Sequence, residues 1–86
     1  MQIDFSWEKN KLLKKERGIN FDDAIEALSE GKLIDIIVNE NYPHQYKLLI
    51  DIWWYVYVCP FVGEFWKSIF LKTLFPSRKE TKKYIL

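Results

Sequence analysis

Apolar residues recur with two different periods along this chain, helical in the first third and strand-like in the remainder. Phe21, Ala24, Ile25 and Leu28 lie at i, i+3, i+4 and i+7, which predicts a helix burying a single stripe. Asn20 stands where it can cap that helix, Asp22 and Asp23 lie where the helix dipole favours anions, and Gly31 can stop it. The preceding WEKNKLLKKER consists of good helix formers between Ser6, a suitable N-cap, and Gly18, a suitable terminator. Trp7, Leu12 and Leu13 give it an imperfect apolar face. In MQIDF, Ile3 and Phe5 alternate with Gln2 and Asp4, so this segment reads as a short strand or an extended lead-in.

From residue 33 onward β-branched and aromatic residues dominate. KLIDIIVNEN predicts a strand over residues 33–38, and Asn39, Asn41 and Pro43 punctuate the loop after it. In QYKLLID, Tyr46, Leu48 and Ile50 alternate with Gln45, Lys47 and Asp51, a second strand with one wetter face. WWYVYVCPFV has no polar alternation, which predicts a strand over residues 53–62 covered on both sides; Pro60 should mark its end, a bulge or an outward-facing position. GEFWKS reads as a connection and SIFLKTLF as one further strand. Ser77 followed by Glu80 fits a capping box, and Pro76 keeps helix from extending back past it, so a strand hands over to a basic helix. The expected fold is a single α+β domain over residues 1–86: two N-terminal helices on one face of a small antiparallel sheet of three to four strands, then a short C-terminal basic helix. The second face of the central strand then needs either that last helix or a partner chain to cover it.

Composition agrees with a folded domain, since 49% of the 86 residues are hydrophobic and 17% aromatic. Trp7, Trp53, Trp54 and Trp66 are expected to contribute large buried areas. Cys59, alone and inside an apolar run, reads as a buried hydrophobe in a reducing compartment. The longest uncharged run, IWWYVYVCPFVG, is shorter than a spanning helix requires, and the polar opening does not resemble a signal peptide, so a soluble, cytoplasmic protein is expected, with no membrane partner. The net charge of +1 hides a segregation, with residues 1–17 at +2, 18–40 at −5, 41–63 at 0 and 64–86 at +4. Basic ends and an acidic middle permit a polyanion site on one face and a basic partner on another.

No Gly-rich phosphate loop, Cys/His zinc pattern or Ser/His/Asp set can be read, and no metal or cofactor is expected. Asp22 and Asp23, being adjacent, point in different directions on a helix and read as helix stabilisers. His44, in a loop, is a candidate proton-transfer group, although an exposed turn histidine without a role is the plainer reading. Lys9, Lys11, Lys14, Lys15 and Arg17 in the first helix, with Lys72, Arg78, Lys79, Lys82 and Lys83 near the end, suit RNA phosphate, and the aromatic residues suit base stacking. Solvation of these charges is an equally good account on composition alone. Held at the start of a helix after a strand, Arg78 could stabilise charge on a cleaving phosphate.

Three short motifs, FSWEKNK, GINFDDA and SRKETKK, occur in the order in which they occur in the BrnT family of bacterial toxins, within the broader RelE-like ribonucleases, and the chain resembles that family over nearly its whole length. The resemblance implies a RelE-like α+β fold, metal-independent RNA cleavage that inhibits translation, and neutralisation by a cognate DNA-binding antitoxin, with DNA contacted only through that antitoxin. A homodimer or a heterotetramer with the antitoxin would suit it. Lys11 matches the lysine of the first-helix motif; Arg78, Lys79, Thr81 and Lys82 match the closing one. The resemblance thus implies transition-state charge stabilisation by Arg78 and RNA binding by Lys11, Lys79 and Lys82; Lys72 is an RNA-binding candidate from the basic set alone. Arg17 stands where relatives commonly carry histidine, and HQYKLLID replaces an acidic-arginine pattern, leaving Lys47 or His44 for proton transfer. These departures keep open an alternative, a non-catalytic toxin-like module that binds a DNA-binding partner protein or RNA.

Overall fold

The computed structural model describes residues 1–86 and orders them as β1 (Gln2–Phe5), α1 (Trp7–Arg17), α2 (Phe21–Ser29), β2 (Leu33–Val38), β3 (Tyr46–Ile52), β4 (Tyr55–Glu64), β5 (Ser68–Leu71), β6 (Phe75–Pro76) and α3 (Arg78–Tyr84). Local capping chemistry fixes the first two helices where the sequence places them. The Ser6 hydroxyl accepts the Lys9 amide at 3.2 Å, and Gly18 closes α1 in the left-handed conformation at φ 72°. At α2 the Asn20 side chain accepts the Asp23 amide at 3.3 Å while the Asp23 carboxylate accepts the Asn20 amide at 2.9 Å. Asn10 then ties the helices together: its side-chain carbonyl accepts the Phe21 amide at 2.8 Å and its NH₂ donates to Asp22 at 3.1 Å. The buried face of α1 is therefore Asn10 and Leu13, whereas Trp7 and Leu12, expected there, are exposed.

The sheet runs β1-β5-β4-β3-β2, with β6 also beside β4. It corrects the expected antiparallel meander of three to four strands: there are six, and β1 pairs in parallel with β5, Gln2 opposite Ser68 and Phe5 opposite Leu71. MQIDF is thus an edge strand. SIFLKTLF is not one strand but two, β5 pairing with residues 61–64 of β4 and β6 with residues 57–58. The break falls where the Lys72 amide donates to the Pro60 carbonyl at 2.8 Å and the Arg17 guanidinium donates to the Leu74 carbonyl at 2.7 Å. Pro60 lies inside β4 rather than at its end. The N and C=O of one strand residue face the same side, so its missing N–H points at the gap between β5 and β6, where no ladder bond is lost.

Alternation along β3 and β4 builds two cores, one on each face. Leu48, Ile50, Ile52, Cys59 and Phe61 pack under α1 and α2 with Leu13, Ile19, Phe21 and Ala24. On the other face Leu49, Val56 and Val58 are covered by Phe75 and Ile85, so β6 and α3 cover this face from within the chain. Helices therefore lie on both sides of the sheet. α3 is anchored through backbone: the Ser77 amide donates to Val56 O at 2.9 Å, the Val56 amide donates to the Thr81 hydroxyl at 2.9 Å, and that hydroxyl donates to Ser77 O at 2.7 Å. Ser77 caps the helix by accepting the Glu80 amide at 3.2 Å. The reciprocal half of the expected capping box is absent, since β4 already takes the Ser77 N–H.

Trp53 and Trp54 do not open β4. With Ile52 opposite Tyr55 they are the two central residues of the β3–β4 hairpin turn, at φ 54° and 67°, the backbone of a type I′ turn. The Asp51 carboxylate accepts the Trp54 amide at 3.0 Å. A continuous apolar run concealed this turn, because glycine and asparagine, its usual markers, are missing. Nor do the tryptophans build the core: all four are 69–78% exposed, and the core is Leu, Ile, Val and Phe with Ala24, Ala27 and Cys59. No helix is long and apolar enough to cross a membrane.

Candidate nucleic-acid interface

The face of the sheet that carries α3 has two adjoining depressions, of about 350 and 400 Å³, that share Lys47 and Phe75. Strand parity explains Lys47: Leu48 and Ile50 turn to the α1–α2 core, so Lys47 and Leu49 turn to the opposite face. In one depression Lys47 is joined by Lys79 and Lys83 from α3, with Tyr84, Glu40 and Glu80; in the other it is joined by Lys72, Tyr42 and polar groups of the β2–β3 loop. The floor is apolar, formed by Leu49, Val58, Pro60 and Phe75.

None of these lysines is in a salt bridge, and the chain's one ion pair, Lys67–Glu64 at 3.8 Å, is elsewhere. Lys72 Nζ lies 5.5 Å from the Phe70 ring centre and Lys83 Nζ 5.3 Å from that of Tyr84, contacts that hold ammonium groups near aromatic rings without neutralising them. Tyr84 is steadied by donating its hydroxyl proton to Asp35 at 3.3 Å. Thr81, within the closing motif, points inward to β4 and orients α3 rather than reaching solvent.

The structure brings together Lys47, Lys72 and Lys79 and adds Lys83 to them. Its place could have been read from its spacing, since residues four apart share a helix face with Lys79. The other candidates are not gathered there. Arg78 and Lys82 are exposed on α3 but line neither depression, and His44, exposed at φ 69° in the β2–β3 loop, lines neither as well. Lys11 lies on α1, in the layer across the sheet. Sequence reasoning missed the work of Arg17, whose bond to Leu74 O crosses 57 positions of chain and holds the β5–β6 junction. Close by, burial and then Tyr55 raise the Tyr57 hydroxyl's pKa against the lowering influence of Arg17.

The class defined by these features is an α+β protein with a mixed, open six-stranded sheet and a lysine-lined, aromatic-edged groove under its last helix. No protein family, curated protein or solved structure matches the chain.

Proposed function

We propose that this protein is an RNA-directed toxin of the BrnT type, RelE-like in its finer architecture, held in check by a cognate antitoxin protein. The observation that carries the RNA part is the convergence of four lysines without salt-bridge partners, Lys47, Lys72, Lys79 and Lys83, over an apolar floor edged by Tyr42 and Tyr84. Spaced ammonium groups suit successive phosphates, and exposed aromatic rings suit unstacked bases. The toxin part rests on the ordered motifs FSWEKNK, GINFDDA and SRKETKK.

In this reading the RNA 2′-hydroxyl gives its proton to solvent water and attacks the adjacent phosphorus. The P–O5′ bond breaks as the Lys47 ammonium donates a proton to the leaving 5′-oxygen, a 2′,3′-cyclic phosphate and a 5′-hydroxyl end remain, and solvent returns a proton to Lys47. Arg78 stabilises the charge on the phosphate. Purified protein incubated with RNA in EDTA should generate cyclic-phosphate ends, and Arg78→Ala should reduce the rate by about 10²-fold, the usual size of one lost electrostatic contact. Intact RNA after prolonged incubation would sink cleavage.

One observation favours a second reading, a binding module without catalysis: Arg78 and His44 both stand outside the lysine groove. It predicts RNA retention on the groove with no product ends.

A further inference from the structure

At the tip of the β3–β4 hairpin, on the α2 side of the sheet, the indoles of Trp53 and Trp54 border an open cavity of about 300 Å³. Its remaining walls include Asp23, Glu26 and Glu30 of α2 and Asp51 of β3, with Lys32 as the one cation. We propose that this cavity is a docking site for a basic segment of a partner polypeptide, an arginine or lysine side chain entering between the indole pair and the carboxylates. The inference is independent of RNA binding on the lysine groove.

Three features lead to that occupant. Trp53 and Trp54 are 71% and 78% exposed side by side, an apolar surface of the residue type that most often anchors interfaces. The charge around them selects the chemistry: indole faces attract cations, and the acidic residues Asp23, Glu26 and Glu30 against one lysine repel acidic or phosphate-bearing partners. Nowhere in the chain do three His, Cys, Asp or Glu side chains stand close enough to hold a metal ion, so these carboxylates suit an extended organic cation rather than a chelated one. The cavity has room for a long side chain, leaving the rest of the partner on the surface outside it.

The residues at this place are also poor choices for stability. Glu26 and Glu30 repel each other at i, i+4, and Glu30, at the C-cap of α2, meets the negative end of the helix, which has no basic residue in its last turn. Asn-Gly would suit the turn backbone better than Trp-Trp.

The test uses the full-length protein and three fluorescein-labelled peptides of one length, rich in arginine, in lysine or in glutamate, read by anisotropy. The arginine and lysine peptides should bind and the glutamate peptide should not. Trp53→Asn with Trp54→Gly, a pair matched to the turn, should weaken binding at least tenfold while the thermal midpoint stays equal or rises. Glu26→Gln with Glu30→Gln should weaken it similarly, and Lys47→Ala with Lys79→Ala should leave it unchanged. In ¹⁵N spectra the indole signals of Trp53 and Trp54 should move and those of Trp7 and Trp66 should not. Equal binding of the glutamate peptide, no binding of any peptide, retention of affinity in both variants, or occupation of the cavity by a second copy seen as self-association would each overturn the proposal. RNA retention measured on the same variants separates this outcome from failure of the RNA reading.

Discussion

Cys59 is fully enclosed under α1 and α2, and burial pushes its thiol pKa from 9.0 up to about 12. A thiol that ionises more readily in the unfolded chain makes stability depend on pH in a definite direction. Its contribution is intact below the unfolded pKa and is lost as pH rises from about 9 towards 12, with a limiting slope of ~1.4 kcal/mol per pH unit for the single proton. Urea midpoints measured from pH 8 to pH 11 should therefore fall, and Cys59→Ala should flatten that fall. Alkylation of the native protein at pH 8 should proceed only as fast as the core opens. The same burial bears out the reading of Cys59 as a small hydrophobe, which its apolar neighbours in sequence made visible.

Helix α3 is short, and its position depends on tertiary bonds rather than on its own helical propensity. Thr81 is central to this, since its hydroxyl accepts the Val56 amide and donates to Ser77 O. Thr81→Val keeps the shape but leaves a buried strand N–H without an acceptor, a loss of about 1–3 kcal/mol. The urea midpoint should drop accordingly, and hydrogen exchange at Val56 should accelerate; unchanged exchange there would show that this bond does not hold α3. Such elements were unevenly legible in the sequence. Caps announced α1, α2 and α3, because Ser6, Asn20 and Ser77 act within their own first turns. Trp53 and Trp54 misled because a turn enforced by strand pairing outweighs the strand preference of aromatic residues. The split at Lys72–Leu74 was hidden because it depends on Arg17 and Pro60, both distant along the chain.

Across the whole molecule, the charge segregation of the sequence becomes two separate surfaces, a lysine groove under α3 and an acidic cavity beside the β3–β4 turn. Strand parity, which set Lys47 opposite the α1–α2 core, was readable from QYKLLID; the meeting of Lys72 with α3 was not, since it needs the β5–β6 break. If four lysines contact single-stranded RNA, the logarithm of affinity should fall against the logarithm of salt concentration with a slope of about −3, and Lys47→Ala should make it shallower by about 0.7. A slope unchanged by Lys47→Ala would remove that residue from the RNA contact.

The parallel pairing of Gln2–Phe5 with Ser68–Leu71 sets the order in which a growing chain can finish. Of these six strands the one made earliest, β1, is among the last to find its neighbour, waiting until β5 has been made. The β2–β3–β4 hairpins, whose pairings are local, can assemble well before then. A nascent chain halted between β4 and β5 would hold its opening strand without a mate, and completion of the sheet depends on its two halves meeting.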